Sequence, residues 1–119
     1  MSWLGVAACL GFAAVAAGAF GAHGLRDTVS PERLAAWQTA SSYALAHALA
    51  LLALALHSSA TGKSIALPAG LFAAGIALFS GSIFGLVLFE WRVLGPVTPL
   101  GGLCLLAGWG SLLWWARAA

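Results

Sequence analysis

The stretch SIALPAGLFAAGIALFSGSIFGLVLF, residues 64–89, decides the fold. It contains no Asp, Glu, Lys or Arg. An α-helix rises about 1.5 Å per residue, so roughly 20 apolar residues cross the hydrocarbon core of a bilayer. A run of this length and composition therefore reads as a membrane-spanning helix. Working outward, Lys63 and Glu90 bound it, and beyond them the pattern repeats. Residues 1–25, 34–62 and 93–116 are equally free of formal charge. The whole chain of 119 residues holds five basic and three acidic residues, and 62% of it is hydrophobic. Its charged fraction is 7%, against about 25% in an ordinary soluble domain. Such a chain cannot cover a water-facing surface, which excludes a soluble enzyme and a disordered tail. The net charge of +2 has no clustered basic face behind it, so no nucleic acid partner is expected.

Four apolar stretches joined by short connections put neighbouring helices antiparallel. The predicted fold is all-α, an integral membrane up-down four-helix bundle forming a single domain over 1–119. Its spans lie at about 3–22, 34–57, 65–89 and 99–115. The apolar run Trp3–Ala22 is longer than a signal-peptide core and lacks a basic leader, so it reads as a retained first helix. Ser30-Pro31-Glu32 is a helix start, with a hydroxyl cap, proline at the first position and an acid in the first turn. Thr98-Pro99 repeats the hydroxyl-proline start for the fourth helix. Pro68 falls in the first turn of the third, where proline is tolerated.

Small residues mark where helices meet in lipid, because they let backbones approach closely. Ala7, Gly11, Ala14, Gly18 and Gly21 form one such stripe on the first helix. Gly81 and Gly85 form a GxxxG pattern on the third. Trp3, Trp114 and Trp115 are expected at one interface and Trp37 and Trp91 at the other, as an aromatic belt. Trp109 lies deeper, as a packed or lipid-facing residue. Cys9 and Cys104 enter from opposite sides and differ in depth by on the order of 10 Å, too far for a disulfide. Glu90 and Arg92 read as an interfacial pair.

The polar residues gather on one side. Thr39, Tyr43 and His47 follow one another at i, i+4 and i+8, a single helical stripe, with His47 near the midplane. Ser80 and Ser82 are expected at similar depth or slightly nearer the polar side, His23 and Gln38 at its edge, and Thr98 belongs to the same candidate set. Two uses fit this set. One is an interhelical network, His23–Tyr43–His47–Ser80, that fixes helix register. The other is a site for a small lipophilic or weakly charged ligand beside His47, since an ionisable residue inside the bilayer invites a functional reading. No nucleophile is matched with a base, so an enzyme is not expected. His47 and His57 stand about 15 Å apart along one helix and cannot share a metal. His23 with His47 is the one pairing left for a metal or haem, and no cofactor or metal is expected. The partners expected are membrane lipids and a second copy of the chain or another membrane protein.

The ordered set Gly18-Ala-Phe-Gly-Ala-His-Gly-Leu25, Trp37-Gln-Thr-Ala40, Tyr43 with His47-Ala-Leu-Ala-Leu-Leu52, Leu78-Phe-Ser-Gly-Ser82, Thr98-Pro-Leu-Gly-Gly102 and Gly108-Trp109 resembles the YgdD-like small membrane proteins, the domain of unknown function 423 group. The likeness covers essentially the whole chain. It implies a bacterial inner-membrane protein of four helices, with no established activity and with both termini in the cytoplasm. Its signature residues fall on His23, Tyr43, His47, Ser80, Ser82 and Thr98.

Overall fold

Ser30 and Pro31 start a helix as their chemistry requires. The Ser30 hydroxyl accepts from the Arg33 backbone N–H at 3.3 Å, and Pro31 fills a position whose N–H would have no helical partner. In the computed structural model, which describes residues 2–117, this helix is α2, Pro31–Thr61. Gly62 ends it in the left-handed conformation (φ 73°), where a side chain would be strained. Before it come α1, Trp3–Phe20, capped by Ser2, and a π-helical turn, Gly21–Leu25. After it come α3, Ala66–Phe89, and α4, Val97–Arg117, with a short 3-10 turn, Arg92–Leu94, between them. All four are long and apolar enough to cross a membrane. The architecture is the all-α four-helix arrangement read from the charge-free stretches.

Packing follows chain order. α1 lies along α2, α2 along α3, and α3 along α4, while the other pairings have no comparable contact. The register is constant. On the first pair, Gly11 meets Ala48, Gly18 meets Ser41 and Gly21 meets Trp37. On the third, Gly75 meets Leu105, Gly101 meets Phe79 and Gly108 meets Phe72. The core lies on the shared faces, with Ala14, Leu51, Ala69, Phe72, Ile76 and Leu105 buried together. The large apolar residues left outside, such as Phe12, Val15, Leu103 and Leu113, are exposed on the faces that lipid would cover.

Four local expectations are corrected. Trp37 is not a belt residue: it is 3% exposed, its indole N–H donates to the Ala17 carbonyl at 2.7 Å, and its ring packs on Phe20 and Phe84. Facing Gly21, it has room to turn inward, and inside it finds both a partner for its N–H and aromatic contacts. The Gly81–Gly85 pattern does not join two helices. Nothing lies near Gly81, and Gly85 makes space for Leu94 of the following turn. Thr98 does not cap α4, which already begins at Val97; its hydroxyl is bonded to Ser82 Oγ at 2.5 Å instead. Glu90 pairs with Arg33 of α2 at 2.6 Å and not with Arg92, because the α2–α3 register brings the start of one helix beside the end of the other.

Candidate functional site

His47 sits at the middle of α2 and is buried, 8% exposed. Its Nδ1 lies 2.7 Å from the Tyr43 backbone carbonyl, one turn below. Its Nε2 lies 3.0 Å from Trp109 Nε1 on α4. The indole N–H is a donor only, so Nε2 must be the accepting nitrogen and Nδ1 must carry the proton. The bonding therefore specifies a neutral imidazole in one tautomer. The ring is also held edge-on by Phe72 at 5.5 Å and by Trp109 at 5.9 Å between centroids.

This bond lies at one end of a groove. α3 forms the floor through Phe79. α2 supplies one wall through Tyr43 and His47, and α4 the other through Leu103, Leu106 and Trp109. The groove encloses about 780 Å³, within the usual range for small-molecule sites of about 300–1,000 Å³. Tyr43 and Trp109 are each about half exposed, and the Tyr43 ring lies on Phe79 at 5.0 Å. The surface is apolar and aromatic, with the imidazole at one end.

The expected site residues separate into three groups. His47 and Tyr43 share the groove, but Tyr43 reaches His47 through its carbonyl and by stacking at 6.0 Å, not through its phenol. The i, i+4 spacing places the residue 43 carbonyl beneath the imidazole. Ser80, Ser82 and Thr98 form separate joints: Ser80 donates across to the Ala40 carbonyl at 2.7 Å, while Ser82 bonds Thr98 and donates to the Phe79 carbonyl at 2.9 Å. His23, Gln38 and Thr39 are exposed and, among the described residues, hydrogen-bond to no other helix. A single His23–Tyr43–His47–Ser80 network is therefore not present. The α1–α2 register puts His47 level with Phe12, eleven positions and about 16 Å from His23, so these two histidines cannot grip one metal. Among the described residues no three His, Cys, Asp or Glu side chains come together. The partner that sequence reasoning missed is Trp109. Its one signal was its depth, a tryptophan set in from the belt.

The chain matches known sequences over most of its length. The family model described as "Protein of unknown function (DUF423)" matches residues 17–102. The chain belongs to the DUF423 family. A UPF0382 membrane protein of Staphylococcus aureus is 43% identical over 100 residues, covering 84% of this chain and 82% of the relative. One from Staphylococcus epidermidis is 42% identical over 96 residues, covering 81% and 79%. A UPF0382 membrane protein of Schizosaccharomyces pombe is 44% identical over 114 residues, covering 91% and 95%. No solved structure matches. The DUF423 match spans the groove's α2 wall, its floor and the start of α4; Trp109 lies beyond it. Relatives called membrane proteins and four span-length helices agree: this is a multi-pass membrane protein of a family whose function is unknown.

Proposed function

We propose that this DUF423 protein is a non-enzymatic structural component of the bacterial plasma (inner) membrane, and that its working part is a fixed four-helix scaffold. One observation carries this reading. Among the described residues, every buried side-chain nitrogen and oxygen has a hydrogen-bond partner within the chain. A catalytic centre needs a base or nucleophile whose lone pair faces the substrate. Here the one lone pair of neutral His47 is taken by Trp109. The hydroxyls of Ser80 and Ser82 donate to backbone carbonyls, Ser80 across to α2 and Ser82 within α3, and Ser82 is also bonded to Thr98 of α4. The test is thermal unfolding in detergent: His47→Ala and Ser80→Ala should each lower Tm. Either variant keeping the wild-type Tm would overturn the scaffold reading.

The reading has both termini in the cytoplasm. The family resemblance supports this orientation. Reporter fusions after Arg117 and within Ser58–Ser64 should both report cytoplasm. Membrane lipids and a second copy or another membrane protein are the proposed partners.

A second reading has its own observation. The groove beside His47 is large, apolar and open along one side, and a lipophilic ligand fits it. The scaffold reading explains why the groove keeps its shape, and the two are compatible.

A further inference from the structure

We infer that the cleft between α2 and α4 holds one acyl chain of a phospholipid whose headgroup carries both a phosphate and a primary ammonium, with Glu32 and Arg33 at the headgroup end. The inference rests on the groove reading above and names its ligand class.

The groove at His47 does not stand alone. A second one, about 560 Å³, lies nearer the start of α2 and shares Pro99 with the first. The two meet at Pro99 and have the same walls: α2 and α4 on the sides, α3 beneath. On α2 their lining runs Glu32, Arg33, Ala36, Tyr43, Ala46 and His47, one helical face. From Arg33 to His47 is fourteen positions, about 21 Å of helix. Half of a bilayer, headgroups included, is also about 21 Å. The cleft therefore runs from the headgroup zone to the midplane and stops at the His47–Trp109 bond.

Its chemistry changes along that length as a lipid's does. The inner part is lined by Phe79, Leu103, Leu105 and Leu106 beside Tyr43 and His47. Ile83, Leu86 and Val87 continue the apolar lining to the outer part. Such mostly apolar walls give close contact to an acyl chain. At the outer end Glu32 and Arg33 line the groove, with Glu90 bonded to Arg33. Arg33 uses one nitrogen on Glu90, at 2.6 Å, which leaves guanidinium donors for a phosphate. Glu32 makes no ion pair among the described residues, and its carboxylate suits an ammonium that can donate hydrogen bonds. A purely anionic headgroup would set its charge against Glu32. A trimethylated ammonium has no N–H to donate.

The test uses the full chain, purified in detergent and offered equal amounts of phosphatidylethanolamine, phosphatidylglycerol and phosphatidylcholine of one acyl length, with retained lipid read by native mass spectrometry. The expected result is one phosphatidylethanolamine per chain, favoured about tenfold, the ratio set by one charge-assisted hydrogen bond. Glu32→Gln should abolish the preference and keep the lipid. Leu106→Trp, which fills the inner cleft, should abolish retention of all three. If retention shows no headgroup preference, or Glu32→Gln leaves the preference intact, the headgroup assignment is overturned and the groove reading survives. If wild type retains no lipid, or Leu106→Trp retains as much as wild type, both fall. A lipid-free dimer that Leu106→Trp dissociates would give the cleft to a second copy and overturn the lipid.

Discussion

His47 is the residue on which the interior turns, because its two bonds tie α2 both to its own preceding turn and to α4. Replacing Trp109 by Phe keeps most of the aromatic packing and removes the donor. Interhelical polar bonds in membrane proteins contribute about 1 kcal/mol, so Trp109→Phe should cost about that much. His47→Phe should cost at least as much, and the double variant should cost less than the two single losses added together. Chemical or thermal unfolding of the four species gives the coupling; strict additivity would deny the bond. Gly21 offers a second check. A Cβ there would lie 2.5 Å from the Trp37 ring, which is itself buried. Gly21→Ala should therefore destabilise by about 1–3 kcal/mol, as overpacking does. At this scale the sequence was half informative. The Thr39–Tyr43–His47 stripe follows from helical periodicity, and a buried histidine demands partners. Which partners could not be read. A tryptophan inside an apolar stretch looks like any other large apolar residue until the register of α2 against α4, 62 positions away, is known.

Among the elements, α3 and α4 make the closest approach, and glycines on α4 make it closest. A Cβ on Gly101 would fall on the α3 backbone at Phe79. Backbone cannot swing aside as a side chain can, so Gly101→Ala must push the helices apart. It should lower Tm by several degrees, through about 1–3 kcal/mol of strain. Gly110→Ala on the same helix meets nothing within 4 Å and should be neutral or slightly stabilising, since alanine favours helix by about 1 kcal/mol over glycine. Thermal unfolding of the pair in one detergent decides it; equal shifts would contradict the packing. Small-residue patterns pointed to the right chemistry with uneven success. The α1 stripe does face α2, with Ala7 and Ala14 buried and Gly21 on Trp37. The Gly81–Gly85 pattern misled, because spacing alone does not tell a helix contact from space left for a turn. The Thr98 hydroxyl was read as a cap for a similar reason. Thr98 lies inside α4, past its first residue, and its hydroxyl bonds Ser82 of α3.

At the scale of the molecule, four charge-free stretches and three short connections made the number and alternation of the helices legible, since lipid admits few other solutions. The order of packing was not legible, because any of several neighbour arrangements would bury the same apolar residues. The structure chooses chain order, and this has a mechanical consequence. α2 and α3 each have two neighbours, whereas α1 has an extended contact with α2 alone. One side-chain hydrogen bond joins α1 to α2 among the described residues, from Trp37 to the Ala17 carbonyl. It lies toward the end of α1 that leads into the π-helical turn, opposite the Ser2 cap. α1 packs on α2 less extensively than α4 on α3. The division between α2 and the α3–α4 pair is bridged by Arg33–Glu90, Ser80–Ala40 and His47–Trp109. So α1 should detach first while α3 and α4 stay docked through their glycine contacts. Trp37→Phe should then speed amide exchange in α1 about fivefold, the effect of losing about 1 kcal/mol, and leave α3 and α4 amides unchanged. Uniform acceleration in all four helices would mean that the bundle opens as one unit, and that α1 is held by more than its single long neighbour.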